Sequence, residues 1–125
     1  MSMRALVVDD SRTVRIIIGN ILREIGMEVL EACNGLEALE QMNRHPDVEL
    51  LLLDWNMPQM NGFDFLRAVR AQRAYDGVRI LMVTSESQSG QVVKALSAGA
   101  NEYLMKPFNK DVLVAKLHLM DAFPE

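Results

Sequence analysis

The chain predicts a doubly wound α/β domain on three observations. Short apolar stretches of strand length alternate with helical patterns along the whole chain, no linker, repeat or low-complexity segment interrupts them, and charged residues recur where the apolar stretches end. Its 125 residues suit a single domain, 1–125, since a chain of that length buries roughly two-thirds of the surface it exposes when unfolded.

Ala5-Leu6-Val7-Val8 reads as the first strand and ends in the pair Asp9-Asp10. Beyond it Val14, Ile17, Ile18, Ile21, Leu22 and Ile25 recur at helical spacing, with Ser11 as cap and Gly26 as stop. Met27 to Ala32 reads as a short strand, Asn34-Gly35 as a turn, and Leu36, Leu39 and Met42 as one face of a second helix ending before Pro46. The run Leu50-Leu51-Leu52-Leu53 is the third strand and leads into Asp54. Phe65, Leu66 and Val69 mark a third helix after Gly62, and Val78 to Val83 a fourth strand. Val92, Val93 and Leu96 mark a fourth helix closed by Gly99, Tyr103 to Met105 a fifth strand, and Leu113, Leu117 and Met120 a final helix. Such alternation implies parallel strands joined by right-handed crossovers, with helices on both faces.

Composition excludes several classes of function. A net charge of −4 leaves no broad basic face, so no nucleic-acid partner is expected. The single cysteine, Cys33, cannot form an internal disulfide, and the N-terminus shows no basic and apolar leader pattern, so the expected location is cytoplasmic. Apolar runs of a few residues fall far short of the roughly 20 needed to cross a bilayer, so no membrane partner is expected either.

A carboxylate directly after a buried strand needs a partner, because an unpaired buried charge is costly. In an open parallel sheet, ligands bind beyond the carboxyl ends of the strands, near the point where strand order reverses. That rule gathers Asp9 and Asp10, Asp54, Thr84 and Ser85, and Lys106 at one crevice. Alternation alone leaves the sheet order open, but order 2-1-3-4-5 would bring the carboxylates of strands one and three together. Neighbouring like charges raise each other's pKa, and a divalent cation relieves them. Magnesium, Mg2+, favours hard oxygen ligands and binds through one or two carboxylates, waters and phosphate oxygens. Asp10 and Asp54 are candidates for direct ligation, Asp9 for ligation through water, and the backbone carbonyl of Asn56 for the last protein ligand. The plainer alternative has Asp9 and Asp10 capping the first helix, which accounts for neither Asp54 nor Lys106. Beside a cation and an ammonium, Asp54 is also a candidate nucleophile toward phosphorus, forming an acyl phosphate. Lys106 and the Thr84 hydroxyl would neutralise charge on the transferred group. Taken singly, Thr84 serves equally well as a loop cap and Lys106 as the partner of one acid.

With those residues in view, nearly the whole chain resembles the receiver domain of two-component response regulators. Asp54-Trp55-Asn56-Met57-Pro58, Leu81-Met82-Val83-Thr84 and Lys106-Pro107-Phe108 are most similar to the single-domain chemotaxis regulators of that family. The resemblance implies a flavodoxin-like (βα)5 sandwich whose five-stranded parallel sheet has the order 2-1-3-4-5, shared by flavodoxin and chemotaxis regulators. It implies a single receiver domain with no output domain, a monomer that is a signalling switch and catalyses only its own phosphorylation and dephosphorylation. Asp54 would accept a phosphoryl group from a phosphohistidine on a sensor histidine kinase in a magnesium-dependent reaction, and Lys106 would pair with the phosphoryl oxygens. Thr84 and Tyr103 would then move and alter the surface of the fourth helix, fifth strand and fifth helix. That surface would meet an output protein such as a flagellar motor switch protein, and a phosphatase would be a further partner. The alternatives are a phosphotransfer intermediate or phosphate sink of another chemosensory pathway, or a receiver-like module that binds without phosphorylation. The resemblance also implies a cis peptide at Lys106-Pro107, and places Asn56 and Glu86 beside the path of attacking water. Without it, Tyr103 reads as a half-buried strand aromatic, Asn56 as turn chemistry and Glu86 as a solvated side chain.

Two other readings of the same crevice fit less well. A haloacid dehalogenase phosphatase has a second aspartate two residues after its nucleophile, where Asn56 stands here. A flavin carrier needs backbone donors and hydroxyls where the first strand ends in two acids. His45 and His118 read as solitary surface histidines, Cys33 as a strand-end residue and Trp55 as a packing residue. Most of the nine methionines belong to the core, Met42, Met82, Met105 and Met120 among them.

Overall fold

The three central strands carry apolar residues on both faces, as required of a parallel sheet covered by helices on each side. The computed structural model describes residues 3–85 and 90–124. Its strands are β1 (Arg4–Val8), β2 (Glu28–Ala32), β3 (Val48–Asp54), β4 (Arg79–Ser85) and β5 (Glu102–Lys106). Its helices are α1 (Arg12–Glu24), α2 (Gly35–Arg44), α3 (Gly62–Arg70), α4 (Val92–Ser97) and α5 (Lys110–Leu119), with a 3-10 turn at Arg73–Tyr75 that periodicity does not reveal. All pairings are parallel and the sheet order is β2-β1-β3-β4-β5. This is the flavodoxin-like arrangement, with its switch point between β1 and β3.

Period-two alternation divides the core between the faces. Leu6, Val8, Leu51, Leu53, Ile80 and Met82 pack with Ala38, Met42, Phe65, Leu66, Val69 and Ala95 of α2, α3 and α4. Ala5, Val7, Leu50, Leu52, Leu81, Val83 and Leu104 pack with Ile18, Leu22, Leu113 and Leu117 of α1 and α5. Helix ends follow local chemistry. Ser11, Asn34, Asn61 and Asn109 each accept a backbone N–H of the first turn. Gly26 ends α1 at φ 98°, where the Gly26 and Met27 amides close back onto Arg23 and Leu22. Arg70 ties α3 to the far edge of the sheet by donating to the carbonyls of Gly99, Tyr75 and Val78 and to Asn101 Oδ1. Among the described residues no helix is long and apolar enough to cross a membrane.

Several expectations are corrected. Asn34 and Gly35 open α2 instead of forming a separate turn, because the Asn34 side chain caps Glu37. Leu36 is 51% exposed, and the packed face of α2 is Gly35, Ala38 and Met42. In α4, Val93 is 73% exposed and Leu96 38%, and Ala95 is the buried residue. The fourth strand runs from Arg79 to Ser85 and not from Val78 to Val83, so that Thr84 and Ser85 end it as expected. His45 and His118 join no group of metal-ligating residues among the described residues; Arg4 Nη1 lies 2.9 Å from His45 Nδ1, and the exposed His118 ring stacks on Phe123. The reassigned faces predict that Val93→Ala changes unfolding free energy by less than about 0.5 kcal/mol while Phe65→Ala costs about 3–5 kcal/mol, measured by urea unfolding.

Candidate functional site

The β1–β3 register sets Val8 beside Leu53, so Asp9 and Asp54 emerge at the same level on adjacent strands. Two further hydrogen bonds carry the sheet past them. Asp9 N–H donates to Ala32 O at 3.1 Å and Trp55 N–H to Val83 O at 3.1 Å. Asp9 and Asp54 are buried, Asp10 is exposed, and one carboxylate oxygen from each lies within 4.8 Å of the others. Lys106, at the end of β5, is two strands from Asp54. Its long stem carries Nζ over the end of β4 to 3.2 Å from Asp9 Oδ2 and 3.4 Å from Asp54 Oδ1. The Lys106–Pro107 peptide bond is cis.

Asp9 is thus engaged at both oxygens, since its Oδ1 accepts the Ser11 N–H at 2.8 Å. The capping alternative for the two acids fails, because Ser11 caps α1 by accepting from Val14 N–H at 3.3 Å. Asp10 has no hydrogen bond or ion pair among the described residues. Burial, then the neighbouring Asp9 carboxylate, pushes the Asp54 carboxyl up from 3.8 to about 6 despite the opposing pull of Lys106. Burial pulls the Lys106 ammonium down, but the facing Asp54 and Asp9 carboxylates outweigh it and hold it above its ordinary value. A cluster of hard oxygen donors carrying this much unrelieved negative charge suits a small divalent cation such as Mg2+.

Thr84 is fully buried near the end of β4, and its Oγ1 has no hydrogen-bond partner among the described residues. The reading of Thr84 as a loop cap finds no such bond there. Tyr103 sits half-buried on β5 beside Met82, its ring 4.1 Å from Lys116 Nζ, which also reaches Glu102 at 3.4 Å. Asn56 is exposed in the loop after β3, and Glu86 lies outside the described residues.

Three supporting features escape a reading of the sequence. Gly62 N–H donates to Trp55 O at 2.9 Å, and a Cβ there would collide with the Asp54 carbonyl, so only glycine lets α3 start this close to the acid. Trp55 stacks on Phe63 at 5.3 Å, and Lys94 of α4 stands 4.5 Å from the Phe63 ring centre. Arg15 Nη1 donates to the Asp9 carbonyl at 2.6 Å. The first had a cue in its Asn-Gly spacing; the other two had none.

Buried acids at the β1 and β3 ends, a lysine reaching in from β5 and a threonine on β4 meet at one end of the sheet, as in a signalling receiver domain. The response regulator receiver domain model matches residues 5–118, and the chain belongs to that family. Among its relatives, a chemotaxis protein CheY homolog of Campylobacter jejuni is 47% identical over 116 residues, covering 92% of this chain and 89% of that protein. Chemotaxis protein CheY1 of Helicobacter pylori is 46% identical over 119 residues, covering 94% and 96%. The solved structure of CheY4 of Vibrio cholerae superposes with a TM-score of 0.88 at 35% identity, covering 96% of this chain and 99% of that one. The chain is therefore a CheY-like receiver, a signalling switch of the chemotaxis type.

The raised Asp54 carboxyl sets a pH dependence. The folded protein keeps a proton that the unfolded chain has lost between about 4 and 6, so stability from this group falls as pH rises through that window. In metal-free buffer Asp54→Asn is expected to be more stable than the parent by about 1–3 kcal/mol at pH 8, with the difference vanishing near pH 4, as urea titrations at both pH values would show. Thr84→Val removes a buried hydroxyl that has no partner among the described residues, so its unfolding free energy should match or exceed the parent's in the same titrations.

Proposed function

We propose that the chain is a phosphorylatable switch whose chemistry is confined to Asp54. The observation that supports it best is the buried Asp54 carboxylate, held 3.4 Å from Lys106 within reach of two further acids. Above pH 6 the carboxylate is ionised and free to attack. One Asp54 oxygen bonds phosphorus as the phosphorus–nitrogen bond of a sensor kinase phosphohistidine breaks. The imidazole leaves with the bonding pair and the product is an acyl phosphate. Lys106, which already bridges Asp9 and Asp54, turns its ammonium to the phosphoryl oxygens and offsets their charge. Asp10 and Asp54 directly, Asp9 through water and the Asn56 carbonyl would hold Mg2+, which would supply further positive charge there. An apolar pocket of about 270 Å3, lined by Val14, Ile17, Lys106, Pro107 and Phe108, gives a phosphodonor protein a seat beside the site.

Thr84 is the first element of the readout. Its Oγ1 has no hydrogen-bond partner among the described residues, and a phosphoryl oxygen on Asp54 would draw it over. That movement makes room for Tyr103, whose ring would leave Lys116 and turn inward. The affected surface, α4-β5-α5, already exposes Val93 and Leu96 on α4 and Val112 and Leu119 on α5, as a face that binds an output protein would. The relatives' chemotaxis names make a flagellar motor switch protein the favoured partner and a cytoplasmic location the natural one. Asn56, and Glu86 by its place in the sequence, would govern the lifetime of the phosphoryl group.

Incubation with a small acyl-phosphate donor and Mg2+ should add the mass of one phosphoryl group. Neither an EDTA-treated sample nor Asp54→Asn should gain it. If a donor proven active on another receiver leaves the intact mass unchanged, binding without phosphorylation becomes the account of this chain.

A further inference from the structure

We propose that Arg15 is a positioning residue for the acidic turn, holding the Asp9–Asp10 peptide where the Asp10 carboxylate can meet a cation shared with Asp54. The proposal rests on the phosphorylatable-switch reading and extends it to a residue outside the cluster of acids. Arg15 stands on the first turn of α1, largely buried, with its side chain 15% exposed. Its guanidinium makes two directed contacts: Nη1 donates to the Asp9 carbonyl oxygen at 2.6 Å and Nε to Glu31 Oε1 on β2 at 3.0 Å. Glu31 is itself anchored, because Gln41 of α2 donates to its carbonyl at 3.0 Å. A line of hydrogen bonds therefore runs from α2 through β2 and Arg15 into the turn after β1.

The turn needs this support at one place in particular. The Asp9 side chain is fixed without Arg15, by Ser11 N–H and Lys106. The Asp10 side chain is exposed and has no such anchor among the described residues, so the backbone alone decides where its carboxylate stands. The peptide unit that leads into Asp10 carries the Asp9 carbonyl, and that carbonyl is what Arg15 grips. Glu31 offsets the guanidinium charge, so the contribution is one of geometry. A lysine would keep the charge but could not make both contacts with a fixed plane.

The test uses the full chain, with calorimetric titration of Mg2+ and thermal unfolding in EDTA, on the parent, Arg15→Met and Arg15→Lys. Partners that orient metal ligands typically contribute tenfold to a hundredfold in affinity. Arg15→Met should accordingly bind Mg2+ at least tenfold more weakly, and Arg15→Lys should recover only part of that loss. Phosphorylation of both variants by a small acyl phosphate should approach the parent's rate at saturating Mg2+. A lower melting temperature with unchanged Mg2+ affinity would mean that Arg15 is merely structural and would overturn the proposal. Full rescue by lysine would overturn it as well, because charge would then suffice. Should Arg15→Met fail to fold, the lysine variant decides alone. A parent protein that binds no Mg2+ and gains no phosphoryl group would sink the switch reading itself, whereas a competent parent with indifferent variants would sink only the role of Arg15.

Discussion

The carboxylates of Asp9 and Asp54 share one ammonium, and the rest of the site is arranged around that shortage of positive charge. Sheet order forces the two acids onto adjacent strand ends, where burial and mutual repulsion hold Asp54 near pH 6. Lys106 comes from β5, beyond the intervening β4, and divides its contacts between both acids. One lysine cannot neutralise three carboxylates, so the folded protein carries an electrostatic cost at neutral pH. The same imbalance suits the crevice to a divalent cation. Stability is given up where ligands are to be bound.

Around this charged centre the neighbouring elements are held unequally. The Asp54 backbone is fixed by the continued β-pairing of Trp55 and by the close approach of Gly62, and the Asp9 backbone by Arg15 and Ala32. Thr84, in contrast, is buried with a hydroxyl that has no partner among the described residues, and Tyr103 is covered on one side by a lysine from α5. Helix α4 buries only Ala95 fully, and meets the site through Lys94 on Phe63 and Phe63 on Trp55. A rigid centre beside a lightly attached helix is what a switch requires, because a small change at Asp54 then has a soft element to act on.

The centre was largely legible in the sequence because its residues are anomalies there. Asp54 after four leucines, Asp9-Asp10 after Ala5–Val8 and Lys106 after a strand all place charge where a buried strand stops, and the rule of strand carboxyl ends brings them together. The surrounding support was much less legible. Arg15 on an amphipathic helix looks like any solvated arginine until its guanidinium is found on a carbonyl. Phe63 and Lys94 are about thirty positions apart, with no pattern linking them.

The helices show the same division between what is local and what is not. Spacing in the chain determined by itself that there would be five strands and five helices, where Ser11 and Gly26 would bound α1, and that acids and a lysine would meet at one end of a parallel sheet. Those features depend on period, backbone propensity and the cost of burying charge, all of which act on neighbours in sequence. Tertiary structure alone decided that Leu36 and Val93 face outward while Ala38 and Ala95 face the core. It also decided that Lys106 bridges two acids and that the Thr84 hydroxyl has no partner among the described residues. A helical period says which side chains share a side, but which side is buried, and which charge finds which partner, depends on the elements packed opposite.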